Sequence, residues 1–181
     1  LWVALTIFTH NRASPIRRAV FTDDELNSIQ IYDRANKAVV YVTTVTTQYT
    51  WFYQAMQQEG TGSGVIIDGD RGLILTNAHV IQRSGTITVV LEDRREYEAR
   101  IVGADPDSDL AVLKIDSKEK LPAIAMGESD DLMIGETVIA IGNPFGFSHT
   151  VTTGVVSAVH RSIRADERVY HDFIQIDASI N

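Results

Sequence analysis

Gly62-Ser-Gly-Val-Ile-Ile67, followed closely by Gly72-Leu-Ile-Leu-Thr-Asn-Ala-His79-Val80, sets two short apolar runs on either side of a glycine-marked turn. The pattern recurs downstream at Thr86 to Leu91, Ala99 to Val102 and Leu110 to Ile115. Short runs rich in β-branched residues and bounded by turn signals read as strands, and their close spacing suggests a barrel or sandwich. Val39 to Thr47 adds a strand upstream, and Glu136 to Ile141, Val151 to His160 and Phe173 to Asp177 add more after a connection near Leu121 to Asp131. The one persuasive helix, over about residues 23–36, follows the capping-box pattern Thr22-Asp-Asp-Glu25, with Leu26, Ile29, Ile31 and Ala35 at helical spacing. Gly60, Gly62 and Gly64 read as a mobile loop or turn, with Ser63 a loop or turn serine; no lysine follows and the next segment is a strand, so they form no phosphate-binding fingerprint.

Composition narrows the function classes. A net charge of -8 and a pI near 5.0 give no basic excess, which argues against nucleic acid and against an anionic membrane surface as partners. The chain has no cysteine, so it holds no disulfide framework, thiolate metal site or cysteine nucleophile. Leu1 to Phe8 is apolar apart from Thr6 and too short to span a bilayer; it reads as the tail of a signal peptide or membrane anchor, or as a plain strand or disordered start. Arg12, Arg17 and Arg18 after it mildly oppose export of the downstream residues.

His79 stands directly after an apolar strand, where a general base can be held still. An imidazole near its ordinary pKa of about 6.5 can both take and return a proton at neutral pH. By itself a histidine in such a place is more often structural. Thirty residues on, Asp109 precedes the strand Leu110 to Ile115, and a carboxylate so placed could fix the imidazole's tautomer. Asp105, Asp107 and Asp109 resemble the opening of a calcium loop, but Leu110 stands where that loop needs glycine. His149, His160 and His171 lack the paired spacing of metal ligands, and no cofactor or metal is expected.

Five ordered blocks carry a specific resemblance: Thr76-Asn-Ala-His79-Val, Asp109-Leu-Ala-Val-Leu-Lys-Ile, Gly135-Glu-Thr-Val-Ile-Ala-Ile-Gly-Asn-Pro-Phe-Gly146, Val151-Thr-Thr-Gly-Val-Val-Ser157, and Phe173-Ile-Gln-Ile-Asp-Ala-Ser-Ile-Asn181. Over about residues 30–181 the chain resembles the HtrA/Deg family of trypsin-like serine proteases. The resemblance implies a mostly β, trypsin-like double β-barrel, with the first barrel complete, the second incomplete, and a short N-terminal helix. The expected division is 1–21 as signal-peptide or anchor remnant plus linker, 22–125 as helix and first barrel, and 126–181 as the start of the second barrel.

By position His79 matches the family's catalytic base and Asp109 its orienting acid. The family's Pro-Gly-Asn-Ser-Gly-Gly nucleophile block is not among the 181 residues. Ser157 and Ser179 sit in blocks where the family has no nucleophile, and Ser108 reads as a turn serine. The expectation is therefore a truncated piece, inactive alone, of a serine endopeptidase of protein quality control that cleaves unfolded or misfolded polypeptides. The alternative is a noncatalytic, protease-like peptide-binding protein or chaperone.

Ser179 and Ile180 would lie beside the primary specificity pocket, favouring aliphatic side chains, with Asp177 turned into structure. The resemblance further implies a homotrimer, downstream PDZ domains and a periplasmic or otherwise extracytoplasmic location, with a possible inner-membrane anchor. Tyr49 to Tyr53 suggests a regulatory or trimer-contacting loop, and Asn143-Pro-Phe-Gly146 a turn.

Overall fold

The computed structural model describes residues 21–49, 55–82, 85–143, 146, 149–165 and 168–180. The apolar start, residues 51–53 of the aromatic stretch, and Pro144 and Phe145 of the expected turn lie outside the described residues. Nine strands against one helix longer than a single turn make the described residues mostly β, as expected.

Thr22 caps helix α1 (Asp23–Ala35) through the expected capping box. Its hydroxyl accepts the Glu25 N–H at 3.2 Å, and the Glu25 carboxylate accepts the Thr22 N–H at 2.7 Å. Three acidic residues in the first turn add favourable charge at the positive end of the helix dipole. The helix buries nothing, however: Leu26, Ile29 and Ile31 stay 40–41% exposed. A 3-10 turn, Asn36–Ala38, leads on to the first strand.

Six antiparallel strands close a barrel: β1 (Val39–Tyr49), β2 (Ala55–Asp68), β3 (Leu73–Thr76), β4 (Thr86–Val90), β5 (Glu96–Asp105) and β6 (Leu110–Ile115), in the order β1-β2-β3-β6-β5-β4. Alternation of side chains across each strand puts one apolar set inside. Along β6, Ala111, Leu113 and Ile115 are buried while Leu110, Val112 and Lys114 face outward. Val40, Val42, Ile66, Ile74, Val89 and Leu113 have no exposed surface at all. Each such side chain contributes about 1.5–3 kcal/mol of burial.

The glycines of β2 correct the sequence reading. Gly60, Gly62 and Gly64 form no loop; they pair with Thr44, Val42 and Val40 of β1. Their missing side chains answer a packing demand. A Cβ on Gly62 would lie 2.6 Å from a Val80 methyl, and one on Gly64 would lie 2.9 Å from an Ile74 methyl. Ser63 is likewise a strand residue, and its Oγ accepts the Asn143 N–H at 2.8 Å, tying the barrel to the second sheet.

Residues 116–136 carry no helix or strand, as expected of a connection. Leu121 is buried, its N–H donates to the Gly69 carbonyl at 3.1 Å, and the Ile124 N–H donates to the Ile66 carbonyl at 2.9 Å, which straps the segment onto the barrel. Beyond it β7 (Thr137–Gly142), β8 (Thr150–Ala165) and β9 (Arg168–Ile176) form a three-stranded antiparallel sheet, the incomplete second unit. β8 and β9 run longer than their apolar patterns suggest, because they pair as a hairpin whose register shifts at three places. Such shifts break the alternation on which a strand reading depends.

Candidate active site

β3 ends at Thr76, which is buried and donates its hydroxyl to the Ser63 carbonyl at 2.8 Å. A single helical turn, α2 (Ala78–Ile81), follows at once. Ala78 and Ile81 are buried, so the turn is pinned to the barrel while His79 between them projects outward, its side chain 67% exposed. His79 thus rides on a helical turn just past the strand.

Asp109 closes the turn between β5 and β6 with φ of 53°. A left-handed φ costs a non-glycine residue about 1–2 kcal/mol. In that conformation the residue reaches three consecutive residues, Asn77 to His79, where α2 begins. Its carbonyl accepts the Ala78 N–H and an Asn77 side-chain N–H, each at 3.1 Å. Its Oδ1 accepts the His79 main-chain N–H at 2.9 Å. Its Oδ2 lies 2.7 Å from His79 Nδ1 and accepts a second Asn77 N–H at 3.2 Å.

Partial burial by itself would raise the Asp109 carboxyl, but the hydrogen bonds from the His79 main chain and ring, the His79 charge and the Asn77 amide outweigh it and hold the group below the usual carboxylate range. Asp109 is therefore ionised at neutral pH and can only accept. With neutral imidazole, Nδ1 must then carry the proton, which leaves the Nε2 lone pair to act as base. A cavity of about 530 Å³ opens beside the pair, walled by Ile81, Gln82, Ile101, Ala104 and Pro106. A second cleft of about 410 Å³ runs between barrel and sheet, past Ser63, Leu75, Leu110, Ile139 and Ile141.

The structure brings His79 and Asp109 together at 2.7 Å. The Ser179 carbonyl accepts the Thr152 hydroxyl at 2.6 Å, Ile180 is 76% exposed, and neither lines the cavity at His79. Asp177 accepts the Val155 N–H at 2.6 Å, so its carboxylate serves the backbone. Ser157 lies within β8, and Ser108 donates to Asp105 at 2.7 Å. His149 donates to the Val39 carbonyl at 3.3 Å, His160 lies 2.7 Å from Asp172, and His171 lies 3.1 Å from Ser162. Asn77 escaped the sequence reading. The signal was present, since an amide side chain between a strand end and a histidine is free to hold a neighbouring carboxylate.

A closed six-stranded barrel with a His–Asp pair on its rim and a second antiparallel sheet beside it is the architecture of the trypsin-like double-barrel proteins. Residues 62–181 match the family described as Trypsin-like peptidase domain. Over 163 residues the chain is 42% identical to Protease Do-like 1, chloroplastic, of Arabidopsis thaliana, spanning 87% of this chain and 37% of that one. Over 120 residues it is 50% identical to the periplasmic serine endoprotease DegP of Escherichia coli K12, spanning 66% of this chain and 25% of that one. The solved structure of the HtrA-type protease AlgW with decapeptide superposes with a TM-score of 0.72 at 39% identity, over 85% of this chain and 52% of that one. The chain belongs to the trypsin-like peptidase family, in its HtrA/Deg branch. It spans 25–37% of the length of these two curated relatives.

Proposed function

We propose that the protein is a serine endopeptidase of protein quality control that cleaves unfolded or misfolded polypeptides, with His79 as general base and Asp109 as its orienting acid. The nucleophile is a serine that residues 1–181 do not supply. The observation that carries this reading is the 2.7 Å contact between His79 Nδ1 and Asp109 Oδ2, which leaves Nε2 as the basic nitrogen. As the serine oxygen bonds to the scissile carbonyl carbon, Nε2 takes the hydroxyl proton, and the imidazolium formed is stabilised by the Asp109 carboxylate. The same proton passes to the departing amine nitrogen when the C–N bond breaks, and water then releases the acyl group by the same route.

Residues 22–125 and 126–181 are the two barrel portions in this reading. Ser179 and Ile180 lie beside the primary specificity pocket in this reading. DegP, named as periplasmic, supports an extracytoplasmic location, and a homotrimer, downstream PDZ domains and an inner-membrane tether belong to the same proposal. A substrate bound as an extended strand through backbone hydrogen bonds suits clients of many sequences.

The test compares a permanently unfolded polypeptide with its folded, disulfide-locked form as substrates of the full-length protein. Cleavage of the unfolded form alone, lost in His79→Ala, is expected. Binding without cleavage would favour the noncatalytic peptide-binding reading.

A further inference from the structure

We infer that Asp105 is a positioning residue for the His79–Asp109 pair, an inference that rests on the role just proposed for that pair. Asp105 is the last residue of β5 and pairs with Leu110 of β6, so the two ends of the intervening turn are fixed by the barrel. Within the turn its carboxylate gathers three donors. Oδ1 accepts the main-chain N–H of Asp107 at 3.0 Å and that of Ser108 at 3.4 Å, and Oδ2 accepts the Ser108 hydroxyl at 2.7 Å. Pro106 limits φ at the first turn position, so the chain has little freedom left as it enters Asp109.

That constraint meets the strained residue directly. Asp109 must take φ of 53° to present its carbonyl and both carboxylate oxygens to residues 77–79. Glycine would adopt this φ at no cost but has no carboxylate. The Asp105 clamp supplies from outside what the residue type at 109 does not favour. With alanine at 105 the turn loses its three acceptor bonds, Asp109 can relax toward ordinary φ, and its Oδ2 moves off Nδ1. Asparagine at 105 keeps an oxygen for the two main-chain donors and so keeps most of the constraint.

The experiment uses the full-length protein with Asp105→Ala and Asp105→Asn. One readout is the downfield proton resonance of His79 Nδ1–H; the other is kcat and KM on an unfolded polypeptide, per folded molecule. Asp105→Ala should displace the resonance and lower kcat about 10-fold with KM within about twofold, and Asp105→Asn should recover kcat to within about threefold. If Asp105→Ala does not fold, Ser108→Ala, which removes only the 2.7 Å bond, should displace the resonance in the same direction. A resonance unmoved by the alanine change, or moved as far by asparagine as by alanine, overturns the inference whatever the activity. A displaced resonance in a protein that cleaves nothing supports the positioning role and contradicts only the proposed function.

Discussion

Asp109 holds His79 at two points with one carboxylate: Oδ1 takes the main-chain N–H at 2.9 Å while Oδ2 meets ring Nδ1 at 2.7 Å. The main-chain bond sets where the residue sits, and the ring bond sets which way the imidazole turns. Because both come from one side chain, position and tautomer are coupled.

Asp109→Asn separates them. The amide oxygen can still accept the main-chain N–H, but its NH₂ then faces Nδ1, and the ring must offer a lone pair there and carry its proton on Nε2. The base is lost with little change in shape. In the full-length protein kcat should fall about 10⁴-fold while KM stays nearly constant, as steady-state kinetics on a peptide substrate will read.

Acid sensitivity arises from the same carboxylate. Asp109 is held below its unfolded value of about 3.9, so its contribution to stability is fully present above that pH and is lost as pH falls through the folded-state value. Asp68, Asp93, Asp105 and Asp116 are lowered too, chiefly by hydrogen bonds to Arg71, Arg95, Ser108 and Lys114 respectively, and add in the same direction. Denaturant midpoints should be flat from pH 7 to about 5 and drop below about 4, with a shallower drop in Asp109→Asn. Midpoints that rise on acidification would contradict this.

The β2 glycines give a packing test. Alanine at 62 drives its methyl into Val80, the neighbour of His79 on the α2 turn. Gly62→Ala should cost about 1–3 kcal/mol and lower activity per folded molecule as well. Gly103→Ala, where an added Cβ meets nothing within 4 Å, is the control and should stay within about 0.5 kcal/mol. Thermal melts of the two variants side by side decide it.

These residues also mark what the sequence could convey. The period-two runs of β3, β4 and β6 announce buried strands because alternation is a local property, and Thr22 with Glu25 announces a helix start for the same reason. Gly60 to Gly64 mislead because the cause of three glycines in a strand lies elsewhere in the chain, in Thr44, Val80 and Ile74. The Asp109 φ and the Asn77 hydrogen bonds were hidden likewise, since a thirty-residue separation states no distance. The order of the motif blocks named His79 and Asp109, and only the barrel's closure, by pairing β3 with β6, sets their elements side by side.

The most direct test of the central claim is the rate at which a serine-directed fluorophosphonate labels the full-length protein. If His79 is the base that activates a serine, His79→Ala should slow labelling by about 10³-fold or more while the protein stays folded. Labelling of His79→Ala at the parent rate, or no labelling of the parent, would contradict it.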